Sequence, residues 1–418
     1  MKKYLNKQII LVAAALQLIV LLLTVLLLLS ACNNSSVTVA NGGVTGTGIT
    51  MGRITNFGSV FVNGVRFDVD GAEFLRNDQP ATQGQADFSV GEFVVIKGSI
   101  GADSSEGVAI QVAYSDALNG EITRASTDGQ SLEVLGQLVH TDALTVFHGF
   151  TDLTELDAGN LLEVSGVLGT NGHIVATLIK KGALQFDSGV SRNRLRGRIA
   201  NIDTDQQQFE LGGLLIDYAS ADLLNYEGHE IHNDQYIEVA SDTAVTNYQL
   251  TASTVKFINE THDLSDHHSA NIEGLVNQFT SISNFQVNGL LVTTTPSTRY
   301  QNGNVNRITE NAYLRLTGTI HESGVLVADR ITFQVPQNVI EQEGMVQSVD
   351  LENSEVRILN RTIVVNTSTL MIDENNHSAL PFTLADLHSG DRIKVSGIAL
   401  NDGKLLAYRL EKKVLHHN

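Results

Sequence analysis

A unit of about seventy residues recurs five times along the chain, and this repeat limits the fold more than any other feature of the sequence. Each copy opens with a glycine that is followed two residues later by an apolar residue typical of β-strands. The opening glycines are Gly52, Gly120, Gly197, Gly274 and Gly344, at intervals of 68, 77, 77 and 70 residues. A unit this short is close to the lower limit for burying an adequate core alone, so we expect neighbouring copies to pack end to end.

A hairpin signature follows each opening, where a short alternating run ends in a residue that tolerates a positive φ. That residue is glycine in four copies and asparagine in the fifth, the two residues that enter left-handed backbone conformations most readily. We therefore expect tight hairpin turns with φ above zero at these positions. The predicted turn residues are Gly64, Gly136, Gly213, Gly289 and Asn360.

Two further signatures complete the unit. In the first signature, two glycines seven residues apart bracket a buried strand, as in the stretches 91–98, 159–166 and 390–397. The second signature closes the copy: an apolar residue is followed by alanine, and another apolar residue lies three positions after the alanine. Before this strand, residues 152–156 and 383–387 carry a capping box and leucines at i and i+3, which predicts a single turn of helix.

Five short strands with an early hairpin and a helical turn before the fourth strand match a small Greek-key barrel. The predicted fold class is all-β, with five tandem Greek-key barrels of OB-like type. A five-stranded SH3-like barrel or a β-sandwich repeat gives the same periodicity and stays open as an alternative. The predicted repeats, called copies 1 to 5 below, are 50–116, 117–183, 195–258, 271–335 and 341–413, with a linker at 259–270.

The N-terminus has the pattern of an export signal. A basic head at residues 1–7 and an apolar stretch at 9–29 lead to a lipobox that ends in Cys32, the only cysteine of 418 residues. We expect cleavage of a lipoprotein signal peptide over 1–31 and a diacylglyceryl thioether on Cys32, so that 32–49 is a lipidated tether. An uncleaved membrane helix is the alternative, because about 20 apolar residues are long enough to span a bilayer.

The expected location is the cell envelope, with the protein held at the membrane by the lipid on Cys32. Asn33 is similar to the residue found after the cysteine in lipoproteins sorted to an outer membrane, where the protein would face the periplasm or the exterior. Cleavage removes Lys2, Lys3 and Lys7 and no acid, which takes the net charge from −19 to −22. A field of this sign repels polyanions, so we expect no nucleic-acid partner.

Together the signatures resemble a tandem-repeat domain of unknown function that is found in bacterial exported lipoproteins. The resemblance rests on the Gly-x-Ile openings, on the segment 52–67 and on the pattern Gly-x-x-Ile-x-Val-x-Gly at 390–397, and it covers residues 46–412. Copies 1 and 5 match best, and copy 3 departs most because it lacks both glycines of the spacing pair. The resemblance implies OB-like barrels and an envelope location, and it brings no catalytic residues.

One stretch between copies 3 and 4 is a candidate metal site. Residues 262–268 offer five nitrogen or oxygen donors, and the candidate ligands are His262, Asp266, His267 and His268. A zinc or nickel site needs three or four converging donors, which a loop provides only when it is ordered. We interpret the stretch as a solvated linker and expect neither a metal nor a cofactor.

The motifs of the chain do not predict an enzyme. Acids are spread over all five copies, and no nucleophile elbow, zincin helix or complete calcium loop stands out. We expect a non-catalytic envelope protein with a binding or scaffolding role, whose candidate partners are an envelope protein or a polysaccharide. A module that binds an oligosaccharide or other cell-surface polymer is the alternative, and an envelope enzyme is the second alternative.

The surface of the protein would distinguish these three functions. A groove lined by Tyr and Phe would favour the polymer, and a cleft of converging acids or histidines would favour catalysis. A featureless acidic surface would favour the scaffold.

Overall fold

The computed structural model describes residues 47–414, except for 102–103, 228–229, 259–266, 335–338, 375–381 and 401. These residues belong to one compact unit, Gly46–Asn418. They fold into strands that are joined by turns and by short 3-10 helices, and the strands close into several small barrels. The all-β prediction is confirmed. Within this part of the chain, no helix has the length and apolar character needed to cross a membrane.

The strands follow the predicted repeat. Copy 1 contains β1 (Thr47–Asn56), β2 (Val60–Val62), β3 (Val65–Asp68), β4 (Glu73–Arg76), β5 (Gln79–Pro80), β6 (Phe93–Ile100) and β7 (Glu106–Tyr114). Copy 2 contains β8 (Leu118–Arg124), β9 (Ser131–Val134), β10 (Gln137–His140), β11 (Val146–His148), β12 (Leu161–Leu168) and β13 (Ile174–Lys181). Copy 3 contains β14 (Asn193–Arg198), β15 (Ala200–Asp203), β16 (Gln208–Leu211), β17 (Leu214–Asp217), β18 (Asp222–Leu224), β19 (Tyr236–Ser241), β20 (Gln249–Thr251) and β21 (Thr254–Phe257).

The last two copies have fewer interruptions. Copy 4 contains β22 (His267–Ser281), β23 (Asn284–Val287), β24 (Leu290–Gln301), β25 (Tyr313–Ile320) and β26 (Leu326–Phe333). Copy 5 contains β27 (Ile340–Asp350), β28 (Glu355–Ile358), β29 (Arg361–Val364), β30 (Leu370–Asp373), β31 (Arg392–Ala399) and β32 (Leu405–Lys412). The 3-10 helices are Gly84–Asp87, Leu153–Glu155, Thr170–Gly172, Val305–Arg307 and Leu384–Asp386.

The strands of each copy close into the same ring. In copy 1, β2 pairs antiparallel with β1 and β3, and β6 pairs antiparallel with β1 and β7. A parallel pairing closes the ring, because β3 and β4 lie one after the other along β7. The pairings recur in copies 2, 4 and 5. In copy 3 the first and last strands are broken, but the ring has the same order.

The opening glycine of each copy lies beneath the hairpin that follows it. A Cβ atom at Gly52 would lie 2.4 Å from Oδ1 of Asn63, and a Cβ atom at Gly274 would lie 2.3 Å from Oδ1 of Asn288. In copies 2 and 5 a leucine side chain fills the same space. In these four copies the residue just before the predicted turn residue occupies the volume that a larger side chain at the opening position would need. In copy 3 that residue is Leu211, two residues before Gly213.

The second glycine of the seven-residue spacing lies at a β-bulge. The register between β6 and β7 shifts between Lys97 and Gly98, and a Cβ atom at Gly98 would lie 2.1 Å from the carbonyl oxygen of Val108. The same shift occurs at Gly166, Gly318 and Gly397. Copy 3 has Ala240 at this position, and its β19–β21 pairing runs without a shift. Glycine is therefore required where the bulge brings two backbones together.

The hairpin turns differ between copy 3 and the others. The backbone angle φ is 80° at Gly64, 72° at Gly136, 78° at Gly289 and 62° at Asn360. In copy 3 the expected position is wrong by one residue, because the positive φ of 60° lies at Gly212 and not at Gly213. In copy 3 only the first of the two central turn residues has a positive φ, which is the type II′ pattern. In the other four turns both central residues have a positive φ.

The barrels do not pack only against their sequence neighbours. β1 of copy 1 runs parallel to β22 of copy 4, with Thr47 opposite His267 and Met51 opposite Ile272. The expected end-to-end packing is therefore wrong, because the first strands extend beyond their own barrels and join copies that are distant in sequence. The same pairing corrects two boundaries: residues 47–49, predicted as tether, and 267–270, predicted as linker, are strand.

The apolar cores also cross copy boundaries. Copies 2 and 3 share one continuous cluster that includes Leu118 and Leu195, whose β8 and β14 backbones are paired. Copies 1, 4 and 5 have clusters of their own. Between copies 2 and 5, Val146 and Leu178 pack against Leu370 and the neighbouring Ile372. Burial between barrels thus adds to the small core within each of them.

We predict that Gly289→Val in the whole chain lowers the melting temperature by about 2 °C, because a β-branched residue at positive φ is strained by about 1 to 2 kcal/mol. Gly289→Asn should leave it nearly unchanged, since Asn360 holds the corresponding position at a φ of 62°. Differential scanning calorimetry of the two variants measures the difference. Equal melting temperatures would contradict a strained left-handed turn at this residue.

Candidate functional site

Arg53, Glu273 and Tyr313 form a buried triad at the junction of copies 1 and 4. Arg53 Nε donates to Glu273 Oε1 at 2.9 Å, and Arg53 Nη2 donates to the Tyr313 hydroxyl at 2.5 Å. The Tyr313 hydroxyl donates in turn to Glu273 Oε1 at 2.5 Å. Arg53 Nη1 reaches into copy 2, where it donates to the carbonyl oxygen of Leu144 at 3.1 Å. The side chains of Arg53 and Glu273 are each only 5% exposed, so the ion pair is almost fully removed from water.

Neither Arg53 nor Tyr313 exchanges a proton near neutral pH. Burial alone would lower the pKa of Arg53, but Tyr313 and Glu273 raise that pKa above its usual value. Burial raises the pKa of Tyr313 well above its usual value. The guanidinium therefore stays charged and the phenol stays protonated, and a general acid or base needs a pKa close to the working pH. The chemistry of the triad is suited to joining barrels.

A second network joins copies 1 and 2 around Glu92, whose side chain is 0% exposed. Arg76 Nη1 donates to Glu92 Oε1 at 2.9 Å, and Lys180 of copy 2 donates to the same oxygen. Arg76 Nη2 donates to Glu163 of copy 2 at 2.8 Å, and the Tyr114 hydroxyl donates to Glu163 at 2.8 Å. Two carboxylates and two cations therefore compensate each other across the interface.

Glu163 does not have the raised pKa that a general acid needs at neutral pH. Burial alone would raise the pKa of Glu163, but Lys180 and Arg76 lower it below its usual value. A carboxylic acid that donates a proton at neutral pH needs a raised pKa. Glu163 is therefore ionised at neutral pH, and its charge stabilises the interface with copy 1.

Two of the predicted turns are contact points between barrels. Thr367 of copy 5 donates through Oγ1 to the carbonyl oxygen of Gly64 at 2.9 Å. The backbone nitrogen of Gly213 in copy 3 donates to the carbonyl oxygen of Gly136 in copy 2 at 2.9 Å. A Cβ atom at Gly136 would lie 2.9 Å from the backbone of Gly213. These hairpins are closed by neighbouring barrels, which leaves them unavailable as open ligand loops.

Several cavities lie between the barrels, including one of about 290 Å³ among copies 1 to 4. The first of two larger cavities, of about 420 Å³, is lined by residues of copies 1, 4 and 5 and by Leu144 of copy 2. Arg315, Ser368 and Tyr408 belong to this lining. The second, of about 550 Å³, lies between copies 2 and 5. Its cations are paired with acids, as in the Arg409–Glu411 ion pair. The first cavity differs because Arg315 donates to Ser368 Oγ at 3.3 Å and forms no ion pair with the described residues.

The predicted lipid and metal positions are not brought together by the described residues. Cys32, His262 and Asp266 lie outside them, and only the backbone of His267 and His268 is described, at the start of β22. Within the described ranges, no group of three or more His, Cys, Asp or Glu side chains is arranged to hold a metal ion.

The buried ion networks were not predicted, although the sequence contains a local signal for them. Arg53 and Glu273 are charged residues directly beside opening glycines, and Glu92 directly follows the first glycine of a strand signature. Arg53 and Glu273 lie within strands, and Glu92 directly precedes one. A charged residue at such a position is rarely buried unless it is paired with an opposite charge. Its presence in the sequence therefore indicates a partner of opposite charge elsewhere in the chain.

Three segments of the chain, 119–180, 273–332 and 343–411, match the model of a family described as a domain of unknown function (DUF5666). They correspond to copies 2, 4 and 5, and each segment begins in the first strand of a ring and ends in its last strand. Copy 1, expected to match best together with copy 5, is not among these segments. The matches confirm a repeated domain of unknown function. No curated protein shows a significant match to the chain.

We predict that Glu273→Gln lowers the free energy of unfolding by about 3 to 5 kcal/mol, because it leaves the Arg53 guanidinium buried without a countercharge. Glu106→Gln is the matched control, since its ion pair with Arg66 spans 3.7 Å between exposed side chains. The control should change the free energy by less than about 0.5 kcal/mol. Urea denaturation of both variants measures the difference, and equal losses would contradict a special role for the triad.

Proposed function

We propose that this chain is a non-catalytic protein of the cell envelope, anchored through a lipid on Cys32, in which five OB-like barrels form a scaffold or binding platform. The proposal rests mainly on one observation: buried ionisable side chains form the contacts that join the barrels. The Arg53–Glu273 pair joins copies 1 and 4, and Glu92 with Lys180 joins copies 1 and 2. Groups that an enzyme would keep free for chemistry are engaged here in fixed interfaces.

The order of strands in each ring supports the OB-like assignment. The first three strands form an antiparallel meander, and the third strand is parallel to the last, as β10 is to β13. In copies 1, 2, 4 and 5 a short helical turn precedes the strand that returns to pair with the first. Both features agree with a five-stranded Greek-key barrel of the OB type.

The surface supports a scaffold better than a polymer-binding module. Sugar rings stack on exposed aromatic side chains, and a polymer groove would present several of them. Among the described residues Tyr248 is the only aromatic residue that is largely exposed, at 47%. The net charge of −19 instead gives the chain a predominantly acidic character. This charge keeps such a platform soluble at the membrane surface and disfavours polyanionic partners.

Cys32→Ser tests the anchor. We predict that the variant remains an uncleaved precursor without a lipid label, because the thioether requires the cysteine sulfur. Ser30→Ala keeps a small residue beside the cleavage position and is the matched control, which should be processed and labelled like the original chain. Metabolic labelling with a radioactive fatty acid and the mass of the mature N-terminus give the readout. A Cys32→Ser product that is cleaved at the same site and labelled would contradict the lipoprotein assignment.

A further inference from the structure

The cavity of about 420 Å³ between copies 1, 4 and 5 contains a cation that forms no ion pair with the described residues. Arg315 lies on its wall, and within the described residues its side chain forms one hydrogen bond, to Ser368 Oγ at 3.3 Å, and no ion pair. Burial lowers the pKa of Arg315, the nearby carboxylate of Glu273 opposes this effect, and the positive charge of Arg330 acts in the same direction as burial. An arginine stays protonated in proteins, so this positive charge is partly desolvated. The Glu273 carboxylate compensates it only in part, because both oxygens of Glu273 already accept hydrogen bonds from Arg53.

This arrangement is unusual for this chain. The sequence contains 46 acidic residues against 27 lysines and arginines, so an acid is easily found for each cation. The other arginines at barrel junctions have one: Arg53 pairs with Glu273, Arg76 with Glu92, and Arg194 with Asp116. The cations of the cavity between copies 2 and 5 are also paired. The unpaired charge of Arg315 therefore requires a separate explanation.

Ser368 and Tyr408 add two hydroxyl-bearing side chains to the lining of this cavity. The Tyr408 hydroxyl is buried and has no hydrogen-bond partner among the described residues, although a buried hydroxyl normally has one. Ser368 Oγ accepts from Arg315 and keeps its own proton available. Both side chains line the same cavity as Arg315. The lining therefore combines a guanidinium with two hydroxyl groups, which are donors for a ligand group that accepts hydrogen bonds.

We propose that this cavity binds a small molecule through an oxyanion, a carboxylate or phosphate group that Arg315 holds and to which Ser368 and Tyr408 donate. The volume lies within the range of about 300 to 1,000 Å³ that is common for small-molecule sites. Arg315 belongs to copy 4, and both hydroxyls belong to copy 5, so the bound group bridges two barrels. The site goes beyond the scaffolding role and does not depend on the lipid on Cys32.

Isothermal titration of the full chain with inorganic phosphate and, separately, with a hexuronate tests the site. We expect one of the two probes to bind at one per chain with a Kd below about 1 mM, and Arg315→Gln to weaken this binding at least about tenfold. Arg330→Gln is the matched control, because it removes the same charge from an exposed neighbour outside the cavity. Its affinity should fall far less than that of Arg315→Gln, because Arg330 acts on the cavity only through its charge and does not line it.

Tyr408→Phe gives a second test that is independent of the charge. It removes a hydroxyl that has no partner among the described residues, so the melting temperature should not fall, whereas binding should weaken about threefold or more. This variant decides the question if Arg315→Gln fails to fold. Binding of phosphate identifies a phosphorylated ligand, and binding of the hexuronate identifies a carboxylate. Absence of binding for both probes at about 10 mM, or an equal loss in Arg330→Gln, overturns the proposal.

Discussion

The buried Arg53–Glu273–Tyr313 triad is the contact on which the arrangement of the barrels depends. Removing two charges from water is costly, and the loss is recovered only when the geometry is good and further hydrogen bonds complete both groups. Tyr313 and the carbonyl oxygen of Leu144 provide those bonds. Because the participants come from copies 1, 4 and 2, separating any one of these barrels would leave a buried charge or donor without its partner. The triad therefore favours one fixed packing over looser alternatives.

The small size of each repeat explains why such contacts are needed. A unit of about seventy residues buries a limited core, and additional burial or cross-links normally support a domain of that size. Here the support comes from neighbouring copies: copies 2 and 3 share one apolar cluster, and β1 pairs with β22 across copies 1 and 4. The repeat thus supplies five similar rings, and charged residues that differ between the copies determine how the rings fit together. The cavity that contains Arg315 is a product of this packing, because it does not exist within a single barrel.

Local patterns predicted the parts of the fold that depend on local geometry. The capping boxes before the returning strand form as expected at Leu153–Glu155 and Leu384–Asp386, since both partners lie within four residues. The turn of copy 3 was misplaced because two adjacent glycines, Gly212 and Gly213, fit either position. The pairing of Arg53 with Glu273 spans 220 residues, and no periodicity reports on so distant a contact. The packing of the barrels, and with it the candidate site, could therefore be obtained only from the structure.

The contacts between the barrels predict that all five unfold as one cooperative unit. Calorimetric unfolding of the full chain tests it most directly, because independent domains and interlocked domains differ in the ratio of the calorimetric to the van't Hoff enthalpy. We expect a single transition in which the two enthalpies agree. Several transitions with separate midpoints, or a calorimetric enthalpy that is several times the van't Hoff value, would show that the barrels unfold independently and would contradict it.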